Sequence, residues 1–149
     1  MIQNIFLVGF LVYSVFGFFV GFRNTHFKKN PYGHSQVFYL FGAFVWADSV
    51  VFGAFFAFVS LVSLLFHNII LFTLIYSLFW TIRSIGEQFY WFLEQFAAVH
   101  RNPEHTLWVS KFFPRNSSWI AMQTFWQCVS VISITITVFV FAKFLKVLM

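Results

Sequence analysis

The chain has 149 residues, of which 60% are hydrophobic and 9% charged, whereas a water-soluble domain carries about 25% charged residues. Burial in water could not hide this much apolar surface, so the composition excludes an ordinary soluble domain and calls for lipid as the solvent. A net charge of +5 would suggest nucleic acid in a soluble protein, but here Lys and Arg fall between apolar runs and read as topology signals, which excludes that partner.

The length allows roughly four or five spans of about 20 residues, too few to enclose a large aqueous cavity in one protomer. The expected architecture is all-α, an integral membrane protein of about four transmembrane helices. It should work as a homo-oligomer or as a subunit of a larger membrane complex. The 26 Phe residues carry no mechanistic reading, because a nucleotide-biased genome would produce the same excess.

The first expected span covers residues 4–22 and contains Gly9, Gly17 and Gly21. No basic n-region precedes it and no small-residue cleavage site follows, so it is expected to remain in the mature protein. Gly17 and Gly21 form a GxxxG, and Ser49, Gly53 and Ala57 continue a small-xxx-small ridge on the second span, so both helices offer surfaces for close backbone approach. The contact would lie within the protomer or form a homodimer seam. Residues 23–36 follow as a basic loop.

The second span is expected at about 37–66 and the third at 69–90, joined through His67 and Asn68. So short a link predicts a long antiparallel helical hairpin. Asp48, Arg83 and Glu87 interrupt this apolar sequence, and a hairpin centred at 67–68 would bring them to one depth. Asp48 and Glu87 lie about 20 residues from the tip, or roughly 30 Å at 1.5 Å per residue, with Arg83 one turn nearer, which places the cluster just inside the membrane boundary. It reads either as a cation or proton site, with Arg83 setting the charge state of the two acids, or as a structural ion pair fastening the hairpin.

Beyond Ile82 the third span becomes an amphipathic extension. Glu87, Gln88, Trp91, Glu94 and Gln95 share one face, and Ile85, Phe89, Phe92, Leu93 and Phe96 share the other. Residues 84–98 would either continue the span or lie flat at the interface. Residues 99–118, with Pro103 and Pro114, read as a second basic loop, and Ser117 or Ser118 as an N-cap.

The last span is expected at 119–142. Its Ser133-Ile134-Thr135-Ile136-Thr137 alternation suggests a strand in water, but a lone strand in lipid leaves its backbone unpaired, so helix is expected. Gln123, Gln127, Ser130, Ser133 and Thr137 form a polar stripe that would line a hydrated path or hydrogen-bond to neighbouring helices. Cys128, the single cysteine, reads as a small buried residue. Trp108, Trp119, Tyr90 and Trp91 read as interfacial anchors.

His100, Glu104 and His105, with His26 and His34, are metal-capable, but Pro103 interrupts their helical alignment and no zinc spacing occurs, so no metal or other cofactor is expected. No motif for hydrolase, nucleotide or dinucleotide chemistry is present, and an enzyme is not expected.

Loops 23–36 and 99–118 hold three Lys or Arg residues each. The positive-inside rule therefore puts both loops inside and both termini outside, in a bacterial plasma membrane or an organellar inner membrane, with anionic lipid as a partner of the basic loops. The functional expectation is an oligomeric ion or proton channel or transporter. The alternative is a non-catalytic structural or accessory subunit.

Overall fold

A computed structural model describes residues 2–102, 107–113 and 117–148, and all regular structure in them is helical. Four helices are long and apolar enough to cross a membrane: α1 (Ile2–Phe22), α2 (Trp46–Leu65), α3 (Ile69–Glu94) and α4 (Ser117–Leu148). The chain forms two compact units, residues 1–75 and 76–149, divided within α3.

In the first unit, α1 and α2 run antiparallel with their backbones in contact. A Cβ on Gly53 would lie 2.7 Å from the Phe18 nitrogen and 2.9 Å from the Ser14 carbonyl oxygen. On Gly21 it would lie 2.8 Å from Ser49 Cβ and 2.9 Å from the Trp46 carbonyl oxygen. Only a hydrogen fits at either point, and the two glycines let each helix settle on the other at opposite ends of one contact. Gly17, by contrast, faces side chains, and its added carbon would meet the Phe41 ring at 2.5 Å. Ala57 is only half-buried.

The second span begins later than 37, the position expected from hydrophobicity. Arg23–Phe27 extends α1 as a wide π-helical turn, Gln36–Phe41 forms a 3₁₀ turn, and α2 starts at Trp46. Gly42 ends the 3₁₀ turn in the left-handed region (φ 72°), and residue 45 is extended. Buried Phe38 and Phe41 nevertheless account for the apolar run, because they pack against α1, where Tyr13 Oη donates to the Val37 carbonyl at 2.6 Å.

The turn after α2 is specified by its own hydrogen bonds. His67 takes a left-handed conformation (φ 49°), its N–H donates to the Leu64 carbonyl and the Asn68 N–H donates to the Ser63 carbonyl, a Schellman ending. Asn68 Oδ1 then accepts from the Leu71 N–H at 3.0 Å and caps α3. One residue thus closes one helix and opens the next. Phe72 packs edge-on against Phe6 and Phe10 of α1.

In the second unit, α3 continues without interruption to Glu94, and its amphipathicity is reversed relative to that of a soluble helix. Trp91 and Glu94 are buried and Gln88 and Gln95 are half-buried, while Ile85, Phe89, Phe92, Leu93 and Phe96 are exposed. The Ser-Ile-Thr alternation of α4 is helical. Its hydroxyls return to their own backbone, Thr135 to the Val131 carbonyl and Thr137 to the Ser133 carbonyl, both at 2.8 Å.

Three side-chain expectations are corrected. Cys128 is exposed, because the packed face of α4 runs through Trp126, Ser130 and Ser133. Trp91 and Trp119 are buried, leaving Trp108 exposed. Ser117 opens α4 itself, and Ser118 Oγ donates to the Phe113 carbonyl instead of accepting from a first-turn N–H.

Gly53→Ala should lower thermal stability by about 1–3 kcal/mol, since its methyl group meets backbone that cannot step aside. Gly86→Ala, with open space around it inside α3, should raise stability by about 0.5–1 kcal/mol through helix propensity. Circular-dichroism melts of the two variants in one detergent check both signs.

Candidate functional site

The polar residues of the second unit converge on the contact between α3 and α4. From α3 come Thr81, Ser84 and Gln88, spaced at three and four residues, and just beyond its end comes Gln95. From α4 come Gln123, Ser130, Ser133 and Thr137. Both sets therefore hold one helical face each, and the helices run antiparallel.

Thr81 and Thr137 hydroxyls lie 3.2 Å apart at one end. Ser84 then meets Ser133 at 3.5 Å and accepts from Ser130 Oγ at 2.9 Å. Gln88 Nε2 donates to the Ser130 hydroxyl and, at 3.4 Å, to the Trp126 carbonyl. At the other end Gln95 Nε2 donates to Gln123 Oε1 at 2.6 Å. Ser77, Ser84, Ser130 and Ser133 are all buried. A cleft of about 200 Å³ opens beside this ladder, lined by Gln88, Phe89, Phe92 and Gln123.

Gln127, expected on the same stripe, is exposed, and Trp126 occupies the packed position instead. Four of the five stripe residues thus face α3. Their hydroxyls and amides engage one another, which is what a polar contact between helices requires where water is excluded.

Beyond the ladder lies a carboxylate from the polar face of the amphipathic extension. Glu94 is 4% exposed, and its Oε1 accepts from the Asn102 N–H at 2.9 Å. Asn102 also contacts the Tyr90 hydroxyl through Nδ2, and its carbonyl accepts from Trp119 Nε1 at 3.1 Å. His100 stacks on Trp119 with ring centres 4.1 Å apart, and its Nδ1 lies 3.0 Å from the Glu94 carbonyl oxygen. This knot ties the end of α3 to the start of α4 through residues 95–102.

Of the three residues of the expected charge cluster, Asp48 belongs to the first unit and Arg83 and Glu87 to the second. In the first, Asp48 occupies the first turn of α2, and its Oδ2 accepts from the Phe44 N–H at 3.2 Å. An acid three residues into a helix that reaches back to a preceding N–H satisfies an orphan donor and complements the helix dipole. In the second unit, Arg83 Nη2 and Glu87 Oε1 form an ion pair at 3.0 Å, one turn apart on α3.

His26 and His34 are exposed in the first unit, whereas Glu104 and His105 lie outside the described residues. Among the described residues no group of three or more His, Cys, Asp or Glu side chains is placed to hold a metal ion. No family model, characterised protein or solved structure matches the chain.

Ser130→Ala removes one partner each of Gln88 and Ser84 and should cost about 1 kcal/mol, within the range of interhelical hydrogen bonds in membranes. Gln127→Leu, on the exposed face, should change stability by less than about 0.5 kcal/mol. Equal effects of the two substitutions in thermal melts would remove the distinction between seam and outer face.

Proposed function

We propose that this chain is a four-span membrane protein acting as a non-catalytic structural or accessory subunit of a larger membrane assembly. The supporting observation is the reversed amphipathicity of the second unit, where apolar side chains of α3 face outward and serines, glutamines and a glutamate face α4. A helix pair in water would turn the other way, since exposing Phe89, Phe92, Leu93 and Phe96 there forfeits their transfer free energy. In hydrocarbon the arrangement is the favourable one.

In this reading all four helices cross the bilayer and α2 and α3 form the antiparallel hairpin. The basic segments 23–36 and 99–118 face the inside and both termini the outside, which leaves six Lys or Arg residues inside against Lys143 and Lys146 outside. The polar stripe of α4 is engaged with α3, so it acts as a fastener. Asp48 likewise secures the start of α2, and Arg83 with Glu87 neutralise each other on one helix.

The alternative reading, ion or proton translocation through Asp48 and Glu87, makes a separable prediction. Reconstituted wild-type protein should pass protons and monovalent ions no faster than protein-free vesicles across a range of pH and voltage. Flux that is present in wild type and lost in well-assembled Asp48→Asn or Glu87→Gln would overturn the accessory reading in favour of transport. The accessory reading also expects the protein to leave its membrane, in mild detergent, in a complex heavier than one protomer.

A further inference from the structure

The segment after α1 is a built basic surface. Arg23, His26, Lys28 and Lys29 are exposed, and none of the three Lys and Arg residues is ion-paired among the described residues. The only acid in residues 1–75 is Asp48, which accepts from the Phe44 N–H. Within residues 1–75 the segment therefore presents positive charge with no carboxylate paired to it.

Its backbone is closely tied. The Lys28 N–H donates to the Arg23 carbonyl at 3.2 Å, and Asn30 to Asn24 at 3.1 Å. Trp46 and Ala47, opening α2, donate to the carbonyls of Gly33 and Pro31 at 3.1 and 3.0 Å. Lys29 sits in the left-handed region, φ 50°, where glycine or asparagine is the less strained choice. A lysine held there places an ammonium at the turn at the expense of backbone strain.

Aromatic rings share the surface. Phe27 is 72% and Tyr32 83% exposed, and His26 stacks on Phe22 with ring centres 5.2 Å apart. Charges spread over exposed side chains of one turn suit several anions side by side. Exposed rings among them suit the boundary between headgroups and acyl chains. The surface also lies at the end of a 21-residue apolar helix, at phosphate depth if α1 spans.

From this we infer that Arg23, Lys28 and Lys29, with Phe27 and Tyr32 beside them, form a docking surface for anionic phospholipid headgroups. The inference rests on the membrane reading above and adds a lipid class to it.

The test uses the full chain in phosphatidylcholine vesicles containing spin-labelled phosphatidylglycerol or spin-labelled phosphatidylcholine. Electron spin resonance reads the fraction of each label immobilised by protein. The anionic label should be preferred by about fivefold or more at low salt and approach parity at about 1 M salt, where the screening length is about 3 Å. The triple variant R23Q/K28Q/K29Q should show parity. Lys29→Gly should lower the preference while leaving thermal stability equal or higher, because glycine adopts positive φ freely.

Parity in wild type, or a preference that survives the triple variant, overturns the inference. So does loss of the preference in inorganic phosphate at constant ionic strength, which would assign the surface to a free anion. Alkaline carbonate extraction separates the two levels. Lipid parity in protein that resists extraction defeats the docking surface alone, whereas release by carbonate defeats the membrane reading as well.

Discussion

Between two apolar helices in hydrocarbon there is no hydrophobic driving force, because lipid tails are as apolar as leucine, and association must come from close contact or from polar groups that have nowhere else to bond. In the membrane reading proposed above, the two units meet this constraint differently. In the first, Gly21 and Gly53 bring backbone onto backbone at two points of the α1–α2 contact. In the second, the ladder from Thr81 and Thr137 to Gln95 and Gln123 supplies hydrogen bonds across α3 and α4. Everything else follows from this division. Small residues and hydroxyls occupy the closest helix contacts, Phe38, Phe41, Trp91 and Trp126 fill in beside them, and many other large aromatic and branched side chains are exposed.

The same constraint bears on function. A polar stripe on a membrane helix can line water or fasten a neighbour, and its partners distinguish the two. Ser84, Ser130 and Ser133 are buried against one another, and Gln88 joins them from α3. The Glu94 knot closes the end of the contact with Asn102, His100 and Trp119. Polar groups engaged with each other in this way support a scaffold more readily than a conduit.

Much of the fold was legible in the sequence, for physical reasons that also mark where legibility stopped. Hydropathy located the four helices, and the small-residue spacing at Gly21, Ser49 and Gly53 offered surfaces for close backbone approach that α1 and α2 use on each other. The start of α2 was missed because Val37 to Val45 is apolar whether helical or not. Gly42 and Asp48 were the local signals, a left-handed ending and a first-turn acid. The stripe traced through polar residues alone includes the exposed Gln127, while the face packed on α3 continues through Trp126. The Glu94 niche needed residues 95–102 folded back onto Trp119, a long-range closure without a periodic signature.

The central claim is that the α3–α4 contact is a closed, water-free fastener. It is tested most directly by thiol accessibility in a Cys128→Ser background carrying a single cysteine at position 84, 130 or 133, with the protein in intact membranes. The account predicts that a membrane-impermeant thiol reagent leaves all three positions unmodified until the protein is denatured. Rapid aqueous labelling at these positions in the folded protein would mean that the seam holds water, and would contradict it.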